Sequence, residues 1–383
     1  MLFTFRREMT SFVDQYYNIN RKFLTIVGLW PYQKWRSRIF QITLFPCVLM
    51  AFLIAQVLAQ AFPCFIYFLT YIAFVWNHKE MKISYERVYY EWMIVKAADE
   101  IDILKKYAEF SKQFAVITTV LLLLFLNSFG IFQFLPALLD FITPLNESRE
   151  HHFTFLAEYF VDQERYFYPI LTHSLFAIYV GCTAVVSTGS MLMAFVLHIC
   201  AMLKIASYRL EHISDNISPI SKSEKDYIMY ERIVSAVDTH RRALEFAEYL
   251  VTSFMKFYFV LIGVGISSLT VNMFQLLQFM MVSNDTNGML ACALLIIAHF
   301  IYMFMGNFAG QIITDHNTNI FYKTYTQWYT VSLRTQRMLL FVMQRSMKNY
   351  YCEIGGVFAA SLEGFATLMS MSLSYFTMIY STR

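Results

Sequence analysis

An all-α membrane protein that crosses the bilayer seven times, N-terminus in the cytoplasm and C-terminus outside, is the fold class the sequence predicts. Three observations predict it. Of 383 residues, 57 % are hydrophobic and only 15 % charged, with a mean hydropathy of +0.46, whereas soluble domains are about one-quarter charged. The apolar residues, 38 Phe and 22 Met among them, gather in runs that reach the ~20 helical residues needed to cross ~30 Å of hydrocarbon. The basic residues, finally, sit almost entirely in alternate connections between those runs.

The first 37 residues form an arm with no apolar core followed by a cleavage site, so no signal peptide is expected. Span one covers about 38–59, and span two about 63–77, continuing as helix beyond the lipid. Span three covers about 114–142, span four about 169–199, span five about 252–282 and span six about 289–311. An amphipathic segment at 334–347 precedes the seventh span, about 355–380. Helix is the expected form throughout, because alternating ten-residue strands are absent. The domain division is therefore a cytoplasmic arm 1–37, spans one to six over 38–311, a cytoplasmic segment 312–354 and a last helix 355–383. Segments 78–113 and 200–251 carry periodic apolar positions such as Ile101, Leu104 and Ala108 and read as helices leaving the lipid on the cytoplasmic side.

Orientation follows from charge. The arm with Arg38 at its edge, and segments 78–113, 200–251 and 312–354, hold twenty-six Lys and Arg; the alternate connections and the C-terminus hold three, Arg149, Arg165 and Arg383. The positive-inside rule places the rich side in the cytoplasm. The glycosylation sequons at Asn146 and Asn284 fall in the lysine-free connections, as extracellular acceptors must. This topology is inverted relative to G-protein-coupled receptors, and the chain also lacks their D-R-Y and N-P-x-x-Y motifs.

Enzyme signals are missing: there is no H-E-x-x-H, G-x-S-x-G or phosphate-cradling glycine loop. The six cysteines are scattered without C-x-x-C spacing and read as buried thiols. His151 and His152 adjoin Glu150, but adjacent histidines in a polar loop are ordinarily solvated, and no metal or cofactor is expected. The charges inside the spans, Arg38, Asp140, Lys256 and Glu363, all sit near span ends, which argues against an ion-coupled transporter.

Two features suggest function. Aromatic side chains with a few polar tips collect in the outer halves of spans two to six: Phe68, Tyr71, Phe129, Phe132, His173, Phe176, Tyr179, Thr183, Asn272 and Gln275. An apolar cavity with few hydrogen-bonding groups suits a small hydrophobic ligand, though single aromatics also pack against lipid. The second feature is the last span. Thr367, Ser370, Ser374, Thr377 and Ser381 recur at intervals of three and four and so share a helix face, with Met371, Tyr375, Met378 and Thr382 beside them and Ile379 expected toward lipid. Small polar residues pack helix on helix; alternatively, copies of this face surround a water-filled pore, with Tyr375 and Met378 closing it.

The C-terminal third carries Asp315-His316, Tyr325, Trp328-Tyr329, Leu339-Leu340, Met343-Gln344-Arg345-Ser346, Gly356, Phe358, Ser361-Leu362-Glu363, Phe365 and Ser374-Tyr375-Phe376. This pattern, with Gly28-Leu29-Trp30-Pro31 before span one, resembles the insect odorant receptors, most closely their hymenopteran branch. The resemblance implies an odorant-gated, non-selective cation channel: a tetramer with a cytoplasmic anchor domain, its seventh helix lining the pore. It implies partnership with a common co-receptor subunit, and a place in the dendritic plasma membrane of olfactory neurons. By position it puts Ser374, Tyr375, Met378, Ser381 and Thr382 at the pore and gate. The chain departs from many relatives in having Asn349 rather than Pro after Lys348, so Gly355-Gly356 would supply the break before the seventh helix. Glu363 is expected to pair with Arg345 or Lys348. Alternatives are a gustatory-type channel of the same superfamily, whose usual Gln-Phe ending is absent here, and a small-solute transporter, for which no internal repeat is visible.

Overall fold

A computed structural model describes residues 12–55, 58–142, 159, 161–162, 165–215, 221–283, 286–347, 352–354 and 358–381. The described helices are α1 (Asn18–Ile26), α2 (Trp35–Ala55), α3 (Leu58–Trp76), α4 (His78–Ile94), α5 (Ala98–Ile142), α6 (Phe167–Glu211), α7 (Lys222–Gln278), α8 (Thr286–Gln327), α9 (Leu333–Met347) and α10 (Leu362–Ser381). One antiparallel pair, β1 (Cys352–Ile354) with β2 (Phe358–Ala360), separates α9 from α10. The seven expected spans fall on α2, α3, α5, α6, α7, α8 and α10. Four of these helices, α5 to α8, are apolar over a full bilayer thickness; α10 is less apolar because of its Ser and Thr.

Helix length explains how one bundle serves two environments. α5 and α6 have 45 residues each and α7 has 57, so at ~1.5 Å per residue each exceeds ~65 Å, about twice the hydrocarbon thickness. Their surplus lies at the basic end, where α4 continues α3 after the single turn residue Asn77. Ser221 caps the start of α7, its hydroxyl accepting from the Glu224 amide at 3.4 Å.

The main core also lies at that basic end. It joins Leu24, Val27 and Trp30 of the arm, Met81, Tyr85 and Val88 of α4, a buried row on α6 from Met191 to Leu210, and Phe246 and Phe254 of α7. α6 is the central helix; α5 instead exposes Ile117, Leu121, Leu124 and Phe125, a surface that only lipid or a neighbouring subunit could cover. Charged pairs link the basic extensions: Arg209 grips Glu100 through Nε at 2.6 Å and Nη2 at 2.7 Å, and Lys323 reaches Glu211 at 2.6 Å.

The last boundary differs from expectation. The final helix begins at Leu362, not near 355, because Phe358–Ala360 is held in the hairpin and Ser361 caps the helix, accepting from the Gly364 amide at 3.0 Å. Gly355 and Gly356 lie outside the described residues. Glu363 is exposed and forms no ion pair among the described residues, since α10 packs mainly on α7 and α8; Lys348 lies outside them.

Candidate ligand pocket and pore helix

α10 is anchored at its start and along one face. The Ser361 amide donates to Asn307 Oδ1 at 3.3 Å and the Leu362 amide to Gln311 Oε1 at 3.2 Å, which ties the helix N-terminus to α8. β2 can approach α8 this closely because residue 310 is glycine: a Cβ there would stand 2.2 Å from the Ala360 carbonyl oxygen. Leu368 packs with Ile266 and Leu269 of α7 and Met303 of α8. Phe365 meets Phe304 edge-on at 5.6 Å. Farther along, the buried Thr270 hydroxyl of α7 donates to the Ser372 carbonyl at 3.3 Å.

The hydroxyl face lies on the other side. Thr367, Ser370, Ser374, Thr377 and Ser381 are all exposed in the single chain, and at 100° per residue their stripe lies opposite Leu368 and Ser372. Thr367, Ser374, Thr377 and Ser381 each donate to a carbonyl three or four residues back. Their protons are thus satisfied within the helix, while oxygen lone pairs face outward. Tyr375 and Met378, 47 % and 58 % exposed, border that stripe. Ile379, expected toward lipid, is instead half-buried, because the helix turns it toward the packed face. Thr382 lies outside the described residues, as do Asn146 and Asn284.

The sequence-predicted ligand residues divide into groups. Phe129 and Tyr179 border an apolar cluster of Cys64, Leu122, Leu126, Ala177 and Ile178, which joins α3, α5 and α6 away from the basic end. Gly181 of α6 lies against the Tyr67 ring, 2.4 Å from a would-be Cβ, and the Cys182 thiol donates to the Tyr67 hydroxyl at 3.3 Å. His173 Nδ1 pairs with the Tyr159 hydroxyl at 2.9 Å. Phe68 and Thr183 are half-buried on α3 and α6. Phe176 is 45 % exposed, on the flank away from the fully buried Ala177. Phe132 lies on α5, its side chain outside the described set.

Tyr71 belongs elsewhere. It is fully buried in the main core and donates to the Val27 carbonyl at 2.9 Å, bracing the arm against α3. Five residues from the end of α3, it is too near the basic end to join the cluster around Phe129.

On α7, Asn272 is completely buried. Its Nδ2 donates to the Ser268 carbonyl at 2.8 Å, and its Oδ1 has no partner among the described residues. Gln275 Oε1 accepts from the Cys292 thiol at 3.8 Å, while Gly265 adjoins Met303. These contacts fix an antiparallel register for α7 and α8 in which His299 faces Ser268, one turn from Asn272. Sequence reasoning missed His299. Its Nδ1 bonds the Leu295 carbonyl at 2.7 Å, so that nitrogen carries the proton; Nε2 is a buried acceptor without a partner among the described residues. Two orphaned acceptors on facing helices are costly unless a donor reaches them. The available signal was a histidine in an otherwise apolar span.

Outside the spans, α4 carries a buried carboxylate. Glu91 meets Arg242 at 3.0 Å and is only 4 % exposed. Burial pushes its carboxyl above the ordinary range, against the pull of Arg242 and Arg87.

The chain spans about half the length of the curated relative it matches: odorant receptor 9a of Drosophila melanogaster is 23 % identical over 217 residues, 56 % of this chain and 52 % of that protein. The fold is that of the insect olfactory receptor OR5 from Machilis hrabei. It superposes on the eugenol complex of that receptor with a TM-score of 0.74 at 14 % identity, over 98 % of this chain and 100 % of the other. Against a second structure of OR5 the TM-score is 0.73, with the same identity and coverage. The sequence profile of the 7tm Odorant receptor family matches residues 51–373. A profile match over most of the chain, on a fold shared end to end with a solved olfactory receptor, makes this protein a member of the 7tm odorant receptor family.

Proposed function

We propose that this chain is an odorant-binding subunit of a ligand-gated, non-selective cation channel, working as a tetramer with a common co-receptor. The N-terminus is cytoplasmic and the C-terminus extracellular, with glycans at Asn146 and Asn284, and the assembly lies in the dendritic membrane of olfactory neurons. A small hydrophobic odorant occupies the space among α3, α5, α6, α7 and α8 away from the basic end. A ligand hydroxyl there would satisfy Asn272 Oδ1 or His299 Nε2; eugenol, solved with OR5 of Machilis hrabei, offers such a donor on an aromatic ring. Binding favours the open state only through higher affinity for it. The contact from Thr270 to Ser372 joins the helix bearing Asn272 to α10.

The observation that carries this reading is the exposed hydroxyl face of α10, opposite its packed face and bordered by Tyr375 and Met378. Lipid gives such a face no hydrogen bonds, whereas a shared aqueous conduit does. The test is patch-clamp of cells expressing the chain with and without a co-receptor, against an odorant panel. Odorant-evoked cation current with single-channel steps is expected, and Met378→Ala should raise basal current. Surface-expressed protein that passes no ligand-evoked current in either condition overturns the reading.

A further inference from the structure

The first turn of α2 contains a charge that the fold leaves unanswered. Arg38 is 6 % exposed, and its Nε has no hydrogen-bond partner. Among the described residues no carboxylate pairs with it; the ionisable groups within its electrostatic reach are the Tyr71 phenol and the His78 imidazole. A buried guanidinium without a counter-charge is strongly disfavoured, because desolvation goes uncompensated.

The surroundings add positive charge rather than cancel it. Exposed Lys34 and Arg36 flank the same helix start, and the first turn has no acidic residue. Three cations therefore crowd the positive end of the helix dipole, where the leading amides also lack intrahelical acceptors. Lys79 stands exposed at the start of α4, one residue beyond His78. Helix-start amides, a fork-shaped buried donor and surrounding cations together suit a phosphate. The depth is marked by Trp35 and Trp76, 69 % and 76 % exposed beside this cluster, since exposed Trp settles at the headgroup level.

We propose that Arg38, with Lys34, Arg36 and the α2 start, binds the phosphate of an anionic phospholipid in the leaflet on the N-terminal side. The lipid supplies the counter-charge that the described residues lack and pins α2 and the arm to the membrane. This site is separate from the odorant pocket and independent of how the channel gates.

The test uses full-length protein in nanodiscs of phosphatidylcholine alone, of phosphatidylcholine doped with phosphatidic acid, and of phosphatidylcholine with inorganic phosphate in solution. Retained lipid is read by native mass spectrometry and stability by thermal melting. Phosphatidic acid should be enriched on the wild type and raise its melting temperature. Arg38→Met should abolish both effects, yet melt no lower than wild type in phosphatidylcholine alone, since it removes an uncompensated charge. The exposed substitutions Lys34→Gln and Arg36→Gln, which leave the core intact, should each reduce enrichment about fivefold. Undiminished enrichment on all three variants overturns the site. An equal rise in melting temperature with inorganic phosphate overturns the lipid assignment in favour of a soluble phosphate.

Discussion

The seat of the final helix can be probed with one methyl group at two positions of α8. At Gly310 a Cβ would lie 2.2 Å from the Ala360 carbonyl oxygen and 2.7 Å from the Ala360 Cβ. Ordinary contact needs about 3.5 Å, so β2 must withdraw by roughly 1 Å. The bonds of 3.3 Å from Ser361 to Asn307 and 3.2 Å from Leu362 to Gln311 would then stretch to roughly 4 Å, beyond hydrogen-bonding range. Held in place, the strain costs about 1–3 kcal/mol; relieved, it forfeits two bonds at about 1 kcal/mol each. Replacing a helical glycine returns about 0.5–1 kcal/mol, which leaves Gly310→Ala destabilised by about 1–2 kcal/mol. Gly306 is one turn away on the same helix, exposed, with nothing within 4 Å of a would-be Cβ. There the same change should stabilise by about 0.5–1 kcal/mol. Thermal melting in detergent should show opposite shifts, on the order of 1–2 °C each. Gly310→Ala should also change basal conductance, because the displaced strand leads directly into α10. Equal shifts for both variants would refute the claim that close approach of β2 to α8 seats α10.

Further outcomes follow from the same geometry. Gly181→Ala should raise the half-maximal odorant concentration by roughly tenfold, since the Tyr67 ring must move at an overpacking cost of about 1–3 kcal/mol; Gly189→Ala, with nothing within 4 Å, should leave the dose–response curve in place. The raised carboxyl of Glu91 sets a pH dependence. A carboxyl that holds its proton more tightly when folded contributes stability below its ordinary value of 4.5, and that contribution is lost as pH rises through the folded value. Melting curves of wild type and Glu91→Gln should therefore diverge as pH climbs above about 4.5, with the wild type losing the increment; parallel curves would count against it. Thr270→Val removes one donor to the Ser372 carbonyl, a long bond that the hydroxyl shares with the Ile266 carbonyl at 2.9 Å. A net change of about 0.5 kcal/mol should shift odorant sensitivity roughly twofold, read as the midpoint of the current response.

Much of the helical layout was legible because lipid enforces a simple code. Apolar runs located α2, α3, α5, α6, α7, α8 and α10, four of them apolar over a full bilayer thickness, and the continuation of span two appears as α4 after a single turn residue. The i+3, i+4 spacing of Thr367, Ser370, Ser374, Thr377 and Ser381 placed them on one face before any packing was known. Sequence did not distinguish a face that packs from one left open, because small hydroxyl residues serve both; the contacts of Leu368 and Ser372 with α7 and α8 decided it. The start of α10 was missed for a related reason. Phe358–Ala360 is apolar enough to begin a span, and only pairing with Cys352–Ile354 and passage over Gly310 make it a strand.

Side-chain direction around the ligand region was hardest to read. Tyr71 and Phe129 look alike in sequence, yet one braces the arm through Val27 and the other borders the cluster between α3, α5 and α6. Depth along a helix follows from counting residues, but the partner depends on neighbours distant in sequence. His299 and Asn272 make the same point: their unpartnered acceptors came into view only when α7 and α8 were set in register. Composition and periodicity by themselves determined that this is a helical membrane protein, where its apolar helices run and which residues share a face, because the bilayer acts on every residue separately. Which faces pack, which acceptors are orphaned and that Arg38 meets no carboxylate among the described residues were decided by tertiary structure, since those properties belong to pairs of helices and not to either one alone.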